Sequence, residues 1–316
     1  MDGVRLAQRA LLAVSGGADS MVMASVLFDA SPERIAGIAT FDHGTGAAAE
    51  EAASLVVAWA ESRRLPAFVG RASGLAQTES SWRQARWSFL HGVAARTSAA
   101  VATAHTRDDQ VETVFMRLLR GSGVRGLAGL LARGPILRPM LGTSRVAVRA
   151  YATVCAVPFL DDPSNENRRF LRNRVRQELL PLLERNEPGF REWLITLGER
   201  AAVWRDDVSD AVDEFWAPSV QDGVAVHVPR VATRLPDRSE AALFWPEVAG
   251  RVGVALDWRG TARLASFTTK ERTGLRMPLS GGVVVRSERR GWTLERAGMG
   301  DESAAPPICW HHATTD

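Results

Sequence analysis

Apolar and polar positions follow two regimes along the chain. In the first, short apolar runs alternate with longer amphipathic or Ala-rich stretches. Residues 11–15, 35–41, 66–69 and 99–104 read as short buried strands. Residues 19–29, 47–63, 80–95 and 108–120 read as the helices that follow them, the last stopped by Gly121-Ser122-Gly123. Strands alternating with helices predict an α/β domain built on a parallel, Rossmann-like sheet with helices on both faces. In such a sheet ligands gather at the carboxyl ends of the strands. The polar clusters fall there: Ser15 to Ser20 after the first strand, Asp42-His43 after the second, and residues 105–112 after the fourth.

Beyond residue 140 the pattern changes. A helix is predicted over 143–156, a short strand over 157–159, a turn-rich loop over 161–167 and a helix over 170–184. Asn186-Glu187-Pro188-Gly189 reads as a domain boundary. A long helix over 190–216 follows, then short β-like runs at 224–228 and 282–285, and a loose tail from Gly298. The expectation is a catalytic domain over 1–185 and a smaller, largely helical to α+β region over 186–316.

Composition narrows the class. The 316 residues are 46% hydrophobic and 24% charged, ordinary for a globular chain with a real core. No run approaches the roughly 20 apolar residues that span a bilayer, so no membrane partner is expected. Cys155 and Cys309 lie far apart and form neither a CxxC pair nor a zinc cluster, which fits a reducing cytoplasm. The expectation is a soluble cytoplasmic enzyme. Lys270 is the only lysine among 39 basic residues and the net charge is +3. That arginine excess reads as compositional bias rather than as a nucleic-acid-binding surface.

The sharpest chemistry lies in Ser15-Gly16-Gly17-Ala18-Asp19-Ser20. Two glycines let the backbone turn tightly and approach a ligand without a Cβ clash. The helix that follows offers free N–H groups and the positive end of its dipole to an anion. Ser15 and Ser20 add hydroxyl donors. Asp19 would repel a bare phosphate, so its place there implies a Mg²⁺ between them. Gly-Gly alone would be an ordinary strand–turn–helix connection. The whole hexapeptide between a strand and a helix is far more specific. It is not a Walker A loop, because no Gly-Lys-Ser/Thr follows. It resembles the pyrophosphate loop of the N-type ATP pyrophosphatases, whose fold is of the adenine nucleotide alpha hydrolase type. Those enzymes split ATP between its α and β phosphates.

Further motifs resemble one branch of that superfamily, the tRNA(Ile)-lysidine synthases. They are Phe41-Asp42-His43-Gly44, the run from Thr103-Ala104-His105 through Asp109 and Glu112 to Thr113, Arg120-Gly121-Ser122-Gly123, and Arg138-Pro139-Met140-Leu141. Asp161-Asp162-Pro163-Ser164-Asn165, Arg172-Asn173-Arg174-Val175-Arg176 and Leu179-Leu180-Pro181 complete the match, which covers about residues 10–185. The resemblance implies ATP-dependent adenylation of the wobble cytidine of a CAU anticodon, then attack by the side-chain amine of free L-lysine. The partners implied are ATP with Mg²⁺, lysine and tRNA(Ile); a homodimer stays open.

By the same resemblance Ser15 to Ser20 and His43 bind ATP, and Asp19 holds Mg²⁺. Asp109 and Glu112, at i and i+3 on one helix face, belong to the reaction centre with His105, Arg86 and Arg172. Whether the two acids hold Mg²⁺ or position and deprotonate the lysine amine stays open. Asp42-His43-Gly44 also suits a simple turn. Arg169, Arg174 and Arg176 are assigned to the tRNA backbone, although the bare pattern reads as a solvated helix face.

Two departures stand out: Thr106 where the family commonly has a second histidine, and Thr45-Gly46 where it usually has Leu-Arg. Seven tryptophans after residue 190 read mostly as core. A tRNA thiolase on the same fold, or a nucleotide- or RNA-binding scaffold without catalysis, are the competing readings.

Overall fold

The computed structural model describes residues 4–44, 46–72, 79–161, 168, 170–221, 225–230, 238–254, 256–269, 272–279, 282–296 and 311–312. Its described residues divide into two compact units, one running through Ala202 and including His311–His312, the other running from Val203.

The first unit is built on strands β1 (Ala10–Ala13), β2 (Ile35–Asp42), β3 (Ala67–Arg71) and β4 (Ala100–Thr103). Between and after them come helices α1 (Ala18–Ala30), α2 (Ala47–Glu61), α3 (Glu79–Thr97) and α4 (Arg107–Leu119). The four strands are parallel in the order β3-β2-β1-β4. Each is apolar because it is covered on both faces. Leu12, Met21, Ile38, Val56 and Trp59 fill one layer, and Leu11, Phe68, Phe89, Val93 and Val101 the other.

The chain order reverses between β1 and β4, so these neighbours form the switch point at which such sheets hold ligands. Their register pairs Leu12 with Ala102 and Ala13 with Thr103. The segments leaving the two strands therefore emerge side by side. Beyond β4, Leu137 bridges to Ala102 and continues the sheet's hydrogen bonding outward.

After β4 come the short α5 (Val124–Leu127) and then α6 (Arg145–Val154). Next are α7 (Leu171–Arg174), a π-helical turn over Val175–Leu179, and α8 (Leu180–Asn186). Residues 157–159, expected as a strand, are irregular. Pro158 has no N–H to give a ladder, and the segment is tied instead by Leu160 N–H donating to Gly16 O at 2.9 Å.

The long α9 (Phe190–Trp216) matches its predicted span. The Pro188-Gly189 turn before it is not where the compact units part. Leu194 and Ile195 of its first half bury against Val111 and Val114 of α4 and Leu180 of α8. This apolar face keeps the start of α9 with the first unit.

The second unit continues with β5 (Ser219–Gln221), β6 (Ala225–Pro229), α10 (Arg238–Arg251), α11 (Trp258–Thr268), β7 (Arg276–Leu279), β8 (Val283–Glu288) and β9 (Gly291–Arg296). Its sheet is antiparallel, ordered β5-β6-β9-β8-β7. The core holds Phe244, Trp245, Leu264, Val285, Trp292 and Leu294. Trp245 and Trp292 are buried as expected, whereas Trp258 is 75% exposed. The pair β10 (His311–His312) adds antiparallel to β3 in the first unit.

Phe89 is fully buried under the parallel sheet. Phe89→Ala should lower unfolding free energy by about 3–5 kcal/mol, read by urea denaturation. A loss under about 1 kcal/mol would contradict this packing.

Candidate active site

The segment after β1 makes a tight turn. Gly16 has φ +86°, a conformation open to glycine, and an added Cβ would lie 2.9 Å from the Cβ of Ala52 and 3.0 Å from its carbonyl oxygen. Gly17 differs. A Cβ there meets only Ser15 Oγ at 3.6 Å and Leu160 O at 4.0 Å, so the protein leaves room above it. Ser20, buried, braces the turn from within. Its hydroxyl accepts from Ser15 N–H at 3.0 Å and donates to Gly17 O at 2.9 Å, with Ser15 Oγ 3.1 Å away. The Ser20 hydroxyl, expected as a ligand donor, is thus held inside the loop.

Asp19 opens α1. Its carboxyl pKa is raised, because burial outweighs the attraction of Arg145 and the charge of Asp109 adds to the shift. Its ion pair to Arg145 Nε is 3.7 Å long, too long for a hydrogen bond. This carboxylate lacks full compensation, so it suits a cation. Among the described residues no group of three His, Cys, Asp or Glu side chains is arranged for a metal. A magnesium ion on Asp19 would therefore need oxygen ligands from the nucleotide or water.

The segment after β4 supplies the acids. Thr106 is fully buried and caps α4. Its N–H and Oγ1–H both donate to Asp109 Oδ2, at 2.8 and 2.9 Å. Asp109 Oδ1 receives Arg172 Nη2 at 3.0 Å and Arg145 Nη2 at 3.1 Å. Glu112, with a side chain 2% exposed, accepts from Arg172 Nε at 2.8 Å, Arg176 Nε at 2.6 Å and Nη2 at 3.0 Å, and Arg145 Nη1 at 3.2 Å.

Burial would raise both carboxyl pKa values. For Asp109 the Thr106 bonds and the arginines overturn that, and for Glu112 the arginines alone do, so both end below the usual range. Guanidinium groups hold both Glu112 oxygens and Asp109 Oδ1, while Thr106 holds Asp109 Oδ2.

Arg172 in α7 and Arg176 in the π turn, four residues apart, reach the same glutamate. Arg176, expected on tRNA, is thus engaged inside the cluster. Arg174 lies on the other side and is exposed. Arg169 lies outside the described residues. Arg145 carried no expectation. It sits in α6, more than 30 residues from either acid, in a stretch whose arginine content gave no signal against the background of 38 arginines.

His105 follows β4, its Nδ1 2.9 Å from Thr103 Oγ1. Burial lowers its pKa to about 4; Asp109 opposes the shift, and Arg138, Arg172 and Arg86 add to it. Arg86 on α3 is itself held below the ordinary arginine range by burial and the nearby Arg83. Asp42-His43-Gly44 forms a turn: Gly44 N–H donates to Asp42 Oδ1 at 2.7 Å, and Arg71 Nε lies 3.1 Å from Asp42 Oδ2. His43 packs edge-on against Phe41 and near Trp82. Thr45 and residues 162–167 lie outside the described residues.

A glycine turn at the head of a helix and an arginine-clamped acid pair, on adjacent parallel strands, define an α/β domain with its ligand site at the sheet's switch point. The PP-loop domain model matches residues 3–183. A tRNA(Ile)-lysidine synthase of Salinispora tropica is 35% identical over 298 residues, 87% of each chain. One from Streptomyces coelicolor is 39% identical over 237 residues, 70% of this chain and 65% of the relative. One from Exiguobacterium sibiricum is 38% identical over 188 residues, 58% of this chain and 45% of the relative. The chain belongs to the PP-loop family and, within it, to the tRNA(Ile)-lysidine synthases. Its matches span less than two thirds of the Streptomyces and Exiguobacterium relatives. Among solved structures, the U34-tRNA thiolase NcsA from Methanococcus maripaludis, with its [4Fe-4S] cluster, is alike in fold. It superposes with a TM-score of 0.51 at 18% identity, over 61% of this chain and 72% of that one.

Two measurements check this geometry. Gly16→Ala should destabilise the fold by roughly 1–3 kcal/mol through strain and the Ala52 clash. Gly17→Ala should unfold like the wild type; equal losses for both would contradict the loop. For His105, the folded pKa of about 4 lies below the ordinary 6.5. Between those values the unfolded chain binds a proton that the folded chain refuses, so the contribution of His105 falls as pH falls. His105→Gln should therefore lose less stability on acidification across that window, read by urea unfolding at both ends. An unchanged slope would contradict it.

Proposed function

We propose that the chain converts the wobble cytidine of the CAU anticodon of tRNA(Ile) to lysidine, using ATP and free lysine. One observation carries the reading: the phosphate turn after β1 and the acid–arginine cluster after β4 leave adjacent parallel strands. Nucleotide phosphates and the acceptor base can then meet at one sheet end.

In this reading the backbone amides of Gly17 to Asp19 cradle the pyrophosphate, aided by the N-terminus of α1, while the Ser20 N–H closes the turn by donating to Gly17 O at 3.1 Å. Asp19 holds a magnesium ion, which when bound neutralises phosphate charge and favours pyrophosphate as leaving group. The cytidine O2 attacks the α-phosphorus, the Pα–O bond to pyrophosphate breaks, and the base carries AMP on O2. The lysine ε-amine then attacks C2, the C2–O bond breaks, and AMP leaves while the amine gives up a proton. Arg86 and Arg172 offset the negative charge developing on the phosphates. His105, neutral at pH 7, can hydrogen-bond base or phosphate without adding charge. The exposed Arg174 is suited to a tRNA phosphate.

A thiolase reading is less suited. Iron–sulfur clusters are held by cysteine thiolates. The chain has two cysteines, and Cys155 lies exposed after α6, away from both strand-end segments.

The test is mass analysis of nucleosides from an unmodified isoleucine tRNA transcript after incubation with the full chain, ATP and lysine. Lysidine should appear only when all three are present. A thiolated product that needs a sulfur donor, or none at all, would overturn the proposal. Asp19→Ala should slow pyrophosphate release on the order of 100-fold or more; near-normal release would remove Asp19 from the metal role.

A further inference from the structure

Arg145 stands where the two halves of the site meet. Its backbone N–H donates to Asp108 Oδ2 at 2.7 Å, and Ser144 caps α6 by accepting from Ala147 N–H at 3.2 Å. These bonds pin the start of α6 against the start of α4. From there the guanidinium reaches three carboxylates: Asp109 Oδ1 at 3.1 Å, Glu112 Oε1 at 3.2 Å and Asp19 Oδ2 at 3.7 Å. It thus touches both the phosphate turn and the acid pair.

Arg145 is not the sole counter-charge of either acid. Glu112 already accepts three bonds from Arg172 and Arg176, and Asp109 accepts two from Thr106 and one from Arg172. Only its Nη atoms are hydrogen-bonded to the acids, while Nε stands beyond hydrogen-bond reach of Asp19. The side chain is 22% exposed, so part of it is open to solvent. Charge points the same way. Arg86, Arg138, Arg145, Arg172 and Arg176 surround Asp19, Asp109, Glu112 and the neutral His105. With Arg149 acting on Asp19 and Asp108 acting on Arg145, six cations face four anions, and a triphosphate relieves the positive surplus. A guanidinium's fixed fork suits phosphate oxygens, and one already oriented by two carboxylates loses little freedom on binding.

We propose that Arg145 binds the phosphate chain of the nucleotide, with Asp109 and Glu112 acting to hold its guanidinium at the mouth of the turn. The inference rests on the ATP reading above. It makes Asp109 and Glu112 positioning residues for a phosphate-binding arginine.

The experiment measures binding of α,β-methylene-ATP, which cannot be cleaved at the bond in question, to the full chain with magnesium. Arg145→Ala should weaken binding about tenfold or more, and Arg145→Lys should recover part of the loss. Ethylguanidinium should restore affinity to the alanine variant and leave the wild type unchanged. The KM for lysine should stay within about threefold of wild type in Arg145→Lys, since an ordering role toward phosphate spares the other substrate.

Wild-type affinity in Arg145→Ala would overturn the proposal. So would a loss that neither lysine nor ethylguanidinium repairs and that comes with a lowered melting temperature, which is the mark of a structural role. A wild-type chain that binds no analogue would instead overturn the ATP reading itself.

Discussion

Two carboxylates taken out of water at the start of α4 impose the central constraint. Asp109 and Glu112 have side chains 11% and 2% exposed. A buried charge left unpaired costs several kcal/mol. They remain charged because Thr106 caps one of them and because Arg145, Arg172 and Arg176 converge on both. Those arginines come from α6, α7 and the π turn, so later helices must fold back onto α4 for the site to exist. The apolar contacts of Val111 and Val114 with Leu180, Leu194 and Ile195 stabilise that return. Packing and site electrostatics are one arrangement here.

The parallel pairing of β1 with β4 brings this cluster beside the turn proposed to hold the nucleotide. It sets the acid–arginine cluster beside a turn whose own polar groups are mostly committed. Ser20 closes the turn internally, Gly16 fits against Ala52, and Leu160 N–H ties the turn to the segment after α6. The Ser15 and Ser20 N–H groups are spent inside the loop; the amides of Gly17 to Asp19 and the space above Gly17 face the proposed ligand, together with a carboxylate at Asp19 that lacks a full counter-charge. Pre-organisation of this kind lets phosphate bind without reshaping the loop.

Much of the first unit was legible because its signals are local. An apolar run followed by Gly-Gly and an Asp at a helix start has few alternatives, and each strand fell within one or two residues of its predicted bounds. The predicted strand at 157–159 failed because apolar character alone cannot separate a strand from a tied-down irregular segment carrying Pro158. Pro188-Gly189 looked like a domain boundary because turn chemistry says nothing about what the next helix packs on. Arg145 was invisible for a different reason: its partners lie across the fold, and an arginine-rich helix is ordinary in this composition. Arg176 was assigned outward because its helix face alone could not reveal that Glu112 lies beneath it. The distribution of the tryptophans, with Trp245 buried and Trp258 exposed, likewise depended on tertiary packing.

The most direct test of the whole account is a crystal structure of the full chain with α,β-methylene-ATP and magnesium. The pyrophosphate end should lie on the amides of Gly17 to Asp19, with the metal on Asp19 and the Arg145 guanidinium on a phosphate oxygen. A nucleotide bound away from that turn, with Arg145 still closed on the three carboxylates, would contradict it.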